Sequence, residues 1–170
     1  DVQIYNRALL DGEIDFIFQN PGQPIIGAPI VTGRPQNASV VLGQTATFSV
    51  TNSGIAPFTY QWRLNGANLT GATSPTLTLN NVQTNQAGDY SVRIDNGLGF
   101  TLSSNATLTV LVPAFVAAAP TNLTLLTGST AAFTVTAGGT PPFAYQWRFN
   151  GADLPGANLP SSCWPTRSSR

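Results

Sequence analysis

The chain repeats itself. Shifted by about 85 residues, positions 35–72 align with positions 120–157 without a gap, and roughly 21 of those 38 positions are identical. The matches include Gly43 with Gly128, Phe48 with Phe133, Val50 with Val135 and Pro57 with Pro142. They also include the run Tyr60-Gln61-Trp62-Arg63 with Tyr145-Gln146-Trp147-Arg148. A unit of about 85 residues is too long for one solenoid repeat and has the size of a small sandwich. Whatever fold the first copy takes, the second must be able to begin in the same way.

Within the first copy, Ala46, Phe48 and Val50 alternate with Thr47, Ser49 and Thr51, the period of a strand with one buried face. Tyr60, Trp62 and Leu64 share a face, as do Leu77 and Leu79, then Tyr90, Val92 and Ile94. A last run uses Leu102, Ala106, Leu108 and Val110, provided that a bulge or bend falls around residues 103–105. Between the runs lie Asn52-Ser53-Gly54, Asn65-Gly66, Asn80-Asn81 and Asn96-Gly97, all turn signals. Only 8% of the chain is charged while 42% is hydrophobic, so Thr, Ser, Asn, Gln and Gly must make the surface polar. Short strands punctuated in this way predict an all-β Greek-key sandwich: one complete copy followed by a truncated second copy.

The residues resemble the immunoglobulin fold, and more narrowly the disulfide-free, intermediate-set type of bacterial surface proteins. The resemblance rests on Gly43 before the strand at 46–50, on Trp62, and on Gln86-Ala87-Gly88-Asp89-Tyr90-Ser91-Val92. It implies that Tyr90 forms a tyrosine corner, its hydroxyl bonding to backbone just upstream. It also implies that Val50 and Val92 stand where the family has its disulfide cysteines. Losing a bridge costs about 2 to 5 kcal/mol, and each buried Val returns about 1.5 to 3 kcal/mol, so folding needs no oxidising compartment. The single cysteine, Cys163, can form no internal bridge.

These patterns divide the chain into an immunoglobulin-like domain at 35–112, a linker at 113–119 and a partial second domain at 120–157. Residues 158–170 abandon the repeat and are read as a frameshifted or non-native tail, so Cys163 and Trp164 are given no role. Residues 1–20 stand outside the repeat. Their Ile4-Tyr5-Asn6-Arg7-Ala8-Leu9 core resembles the C-terminal end of laminin-G-like, concanavalin-type jelly rolls. The Pro- and Gly-rich stretch 21–34 then reads as a linker. A chain without an initiator Met is expected to continue upstream.

Chemistry is hard to find. There is no His, which removes the commonest general base and neutral metal ligand. Asp11, Glu13 and Asp15 lack the ligand spacing of a calcium loop and read as solvated acids at a helix start. Asp89 and Asp95 face away from Val92 by parity, with Arg93 placed for an ion pair. Trp62 and Trp147 could be sugar platforms, but their mid-strand positions on the apolar face make them core residues. Asn37, Asn68, Asn105 and Asn122 begin Asn-x-Ser/Thr triplets, which a chain this rich in Asn and Thr produces by chance. No catalytic, cofactor-binding or metal-binding residue is assigned, and no cofactor is expected.

The net charge is zero and its few charges are scattered, which gives no footprint for nucleic acid. No apolar run approaches the roughly 20 residues of a membrane-spanning helix. The expectation is a non-catalytic region of a larger secreted or cell-surface protein, a spacer or an adhesion module contacting other proteins or surface glycans. Loops 65–74 and 96–99 are the candidate contact points. The second reading is an accessory region of a carbohydrate-binding or polysaccharide-degrading protein with a lectin-like domain upstream.

Overall fold

The computed structural model describes residues 27–165 together with Ile14. The jelly-roll assignment of residues 1–20, with Asp11, Glu13 and Asp15, therefore lies outside the described residues. The chain divides into two compact units, Asp1–Val110 and Leu111–Arg170.

The described residues of the first unit form a sandwich of ten short strands: β1 (Ile30–Gly33), β2 (Ala38–Val41), β3 (Ala46–Ser49), β4 (Thr51–Ser53), β5 (Thr59–Leu64), β6 (Ala67–Asn68), β7 (Thr76–Leu79), β8 (Gly88–Asp95), β9 (Phe100–Leu102) and β10 (Ala106–Leu111). One layer holds β1 paired with β4 and β3 paired with β7; the other runs β2-β10-β8-β5-β6, with β9 also on β8. The chain crosses between layers after β1, β2, β4, β6 and β7, which is the Greek key that the alternation implied, in the form that the immunoglobulin resemblance implied.

The alternation holds strand by strand. Ala46, Phe48 and Val50 are buried between exposed Thr45, Thr47, Ser49 and Thr51. Trp62 pairs with Val92 and Tyr60 with Ile94 across the antiparallel β5–β8 ladder, so their side chains reach the core side by side. Phe48 stacks on Tyr90 with ring centroids 4.9 Å apart and meets Trp62 at 6.2 Å. Val50 and Val92 are both buried, as expected at the family's cysteine positions. Asn65-Gly66 closes the β5–β6 hairpin with φ of 48° and 83°, the two positive values that a type I′ turn demands.

Three expectations need correction. Ile30–Gly33, placed in the linker at 21–34, is the strand β1, in register with β4; its alternating Ile30-Val31-Thr32 lets Val31 pack against the core. Leu102 is exposed rather than buried, and the residue turned inward is Ser103. Its hydroxyl accepts a hydrogen bond from the Val92 backbone N–H at 3.0 Å and donates to the Ser104 carbonyl at 2.9 Å, which makes its burial tolerable. Ahead of the break between β9 and β10, the inward position thus falls one residue later than the apolar pattern suggested. Third, the linker at 113–119 contains a strand over Phe115–Ala118.

The second unit comprises β11 (Phe115–Ala118), β12 (Thr130–Thr134), β13 (Thr136–Gly138), β14 (Arg148–Phe149), β15 (Ala152–Asp153) and β16 (Ser161–Pro165). β11 pairs with β13, and β12 pairs with β16. Ser161 opposes Thr134 as Thr76 opposes Ser49, so residues 161–165 occupy the place of β7 in the register of the first copy. The framework of the first copy recurs atom by atom. Trp62 Nε1 donates to the Ser74 carbonyl at 2.9 Å, and Trp147 Nε1 to that of Leu159 at 2.9 Å. Gln61 Nε2 serves the Trp62 and Leu69 carbonyls, and Gln146 Nε2 those of Trp147 and Leu154. Burial does not recur: among the described residues of this unit only Ala157 is buried, and Phe133 and Trp147 are half-buried.

Candidate interaction surface

Strand parity that sends apolar residues inward sends a second set outward, and the two outer faces of the first unit differ in chemistry. On the β2-β10-β8-β5-β6 layer, register places Gln61 beside Arg93 and Arg93 beside Leu102, with Thr59, Asp95 and Phe100 in the next row. Arg93 Nη2 lies 2.6 Å from Asp95 Oδ2, and its guanidinium sits 4.3 Å from the Phe100 ring centroid. The ion pair expected from the sequence is therefore present, capped by an exposed aromatic ring. Asp89 accepts from Thr107 Oγ1 at 2.7 Å, and Asp153 pairs with Arg148 at 2.6 Å. Each described carboxylate is thus engaged locally, and none faces another.

Among the described residues, the strands of the opposite layer carry no charge. Thr47 opposes Thr78 and Ser49 opposes Thr76, all exposed. Thr45 Oγ1 donates to Asn80 Oδ1 at 3.2 Å, and the hydroxyls of Thr32 and Thr51 lie 3.1 Å apart. Gly33 makes this last contact possible, because a Cβ there would collide with Thr51 Oγ1. Eight exposed residues, Thr32, Thr45, Thr47, Ser49, Thr51, Thr76, Thr78 and Asn80, so form one uncharged face, and all but Asn80 bear a hydroxyl. In the sequence Thr47, Ser49 and Thr51 are the polar half of an alternation, Asn80 belongs to a turn signal and Thr32 falls in the stretch read as a linker. The signal was there in Thr45-x-Thr47-x-Ser49-x-Thr51 and Thr76-x-Thr78-x-Asn80.

The remaining candidates fall into place. Trp62 is sealed in the core and cannot stack on a sugar. Asn37, Asn68, Asn105 and Asn122 are exposed, and Asn37 Oδ1 already accepts the Thr107 N–H at 2.8 Å. Loop 96–99 is organised from within: Asn96 Nδ2 donates to the Gly27 and Ile55 carbonyls, and Asn96 Oδ1 accepts from the N–H groups of Leu98 and Gly99. Two shallow depressions meet at Arg34 and Ser104, the larger about 430 Å³ and lined by Ile30, Thr101 and Leu102 among others. Among the described residues no three His, Cys, Asp or Glu gather to hold a metal ion. No helix of these residues is long and apolar enough to cross a membrane.

The tyrosine corner is present. Tyr90 Oη donates to the Gln86 carbonyl at 2.7 Å, and burial pushes the phenol above its ordinary value of 10.0. Tyr90→Phe is expected to lower stability by about 1 kcal/mol at neutral pH. The linkage has a definite sign. Above pH 10 the unfolded chain ionises this phenol before the native state does, so it binds fewer protons and stability falls as pH rises. Urea midpoints at pH 7 and above the phenolic range check both effects: the Tyr90→Phe variant starts lower and loses part of the alkaline slope.

The comparisons agree with this geometry. Residues 28–96 match the immunoglobulin domain family. Endoglucanase C of Cellulomonas fimi is 31% identical over 140 residues, 78% of this chain but only 13% of the endoglucanase. Among solved structures, an I-band fragment of titin superposes with a TM-score of 0.65 at 17% identity, over 82% of this chain and 56% of the fragment. The first two immunoglobulin domains of DIP-gamma give 0.64 at 15% identity, over 83% of this chain and 84% of theirs. At such identities the two structures speak for the fold alone. A family match over residues 28–96, a buried Trp62 and a tyrosine corner on the expected Greek key together make the first unit an immunoglobulin-like repeat domain.

Proposed function

We propose that this region is a non-catalytic, immunoglobulin-like module of an extracellular, polysaccharide-degrading modular protein, in which it spaces or presents other domains. The observation that carries the reading is the recurrence of one hydrogen-bonded framework at an 85-residue offset, with Trp62 and Trp147 donating to the equivalent backbone carbonyls of Ser74 and Leu159. Repetition of a scaffold without a cluster of reactive groups fits a structural task, since function lives in sites rather than in folds. The similarity to Endoglucanase C favours the polysaccharide setting over a general adhesion role. The Val50–Val92 core, held by packing, lets the module fold in an extracellular setting as in any other.

The test is hydrolysis. The purified 170-residue chain, incubated with a soluble cellulose derivative, is expected to release reducing ends no faster than a buffer blank. Release above the blank that is abolished by Asp89→Asn or Asp95→Asn would overturn the non-catalytic assignment.

A further inference from the structure

We propose that the hydroxyl face of the β1/β4 and β3/β7 layer docks onto the surface of a solid, neutral polysaccharide such as cellulose. This rests on the reading above and adds a binding role within the module itself. The face is regular: residues on one strand recur about every 6.8 Å and neighbouring strands lie about 4.8 Å apart, as sheet geometry dictates. It is also stiff. Ala46, Phe48, Val50 and Leu77 anchor the alternate positions of the same strands in the core. Six of the eight exposed residues are Thr, whose β-branch restricts χ1. Two contacts already tie side chains of the face together: the hydroxyls of Thr32 and Thr51 lie within hydrogen-bond distance, and Thr45 donates to Asn80.

The chemistry selects the occupant. A threonine offers a hydroxyl that donates and accepts beside a methyl group, and a pyranose ring presents the same mixture of hydroxyl and C–H surface. With no charge among the face's described residues, a neutral polymer can cover them without stranding an ion. Nucleic acid would need cations to replace its counterions. A protein partner would be expected to meet aromatic and Arg anchors, whereas Ser and Thr are under-represented among interface hot spots. The second copy retains Thr130, Thr134 and Thr136 but has Ala132 where the first has Thr47, so the complete array belongs to the first unit.

The experiment is depletion of the full chain from solution by microcrystalline cellulose, at low and high salt. Saturable, salt-insensitive depletion is expected. The double variant Thr47→Lys/Thr78→Lys should weaken it by about tenfold or more, since burying two uncompensated ammonium groups readily exceeds the 1.4 kcal/mol that a factor of ten represents. Thr47→Ser/Thr78→Ser, which keeps the hydroxyls, should retain binding, as should Thr109→Lys on the opposite layer. All these positions are exposed, and circular dichroism verifies that each variant is folded. The proposal is overturned if the unaltered chain is not depleted, if the Lys pair binds as well as the parent, or if Thr109→Lys weakens binding equally. None of these results touches the non-catalytic reading, which the hydrolysis assay decides by itself.

Discussion

Trp62→Ala is expected to cost the first unit about 3–5 kcal/mol, the range for deleting a large buried aromatic side chain, whereas Trp147→Ala should cost only about 1 kcal/mol. The two residues have the same sequence neighbours and equivalent hydrogen bonds. They differ in what covers them. Trp62 has 0% exposure, sits opposite Val92 on β8 and packs 6.2 Å from Phe48. Trp147 keeps its ring partner, Phe133 at 6.3 Å, but it is only half-buried. Truncating Trp62 removes a whole side chain from the core and strands the Ser74 carbonyl that its indole N–H served. For a domain whose net stability is about 5–15 kcal/mol, that loss alone can leave the unit largely unfolded. Urea unfolding followed by circular dichroism checks the contrast: the midpoint for Trp62→Ala should collapse, and that for Trp147→Ala should barely move. Equal shifts would mean that the covering strand does not set the worth of this tryptophan.

That contrast shows what was legible in the sequence and what was not. Period-2 alternation identified Phe48, Val50, Trp62, Tyr90, Val92 and Ile94 as core residues, because in a two-layer sandwich one parity must face inward. The tyrosine corner followed from residue identities around Tyr90. Leu102 misled the reading because the parity rule holds only while the pairing is continuous, and the interruption between β9 and β10 moved Ser103 to the inside. β1 was missed because Pro and Gly on either side gave its four residues the composition of a linker. The hydroxyl face was overlooked for a different reason. Thr and Ser were treated as filler at outward positions, and only register shows that β3, β4, β1 and β7 bring them into one surface.

Val92→Asp is expected to be the most damaging single change to charge in this unit, because it tests whether the two valines that replace a disulfide really are the centre of the core. Val92 has no exposure and lies on β8 between Trp62 of β5 and Ser103, whose hydroxyl already accepts its N–H. A carboxylate there would find no cation, since Arg93 points to the opposite face and is held by Asp95. A buried polar group without a partner costs several kcal/mol and an unpaired charge more, so the variant should lose at least about 4 kcal/mol at pH 7. The sign of its pH dependence follows from desolvation. Burial raises the native pKa of the new carboxyl above the ordinary value of about 3.9. Stability is then greatest where the acid is protonated and falls as pH rises from about 4. Val92→Asn, which cannot ionise, should be destabilised without that dependence. Unfolding midpoints of the two variants at acid and neutral pH separate the outcomes: partial recovery of Val92→Asp alone at acid pH places residue 92 in a dry core that packing, without a crosslink, is sufficient to hold together.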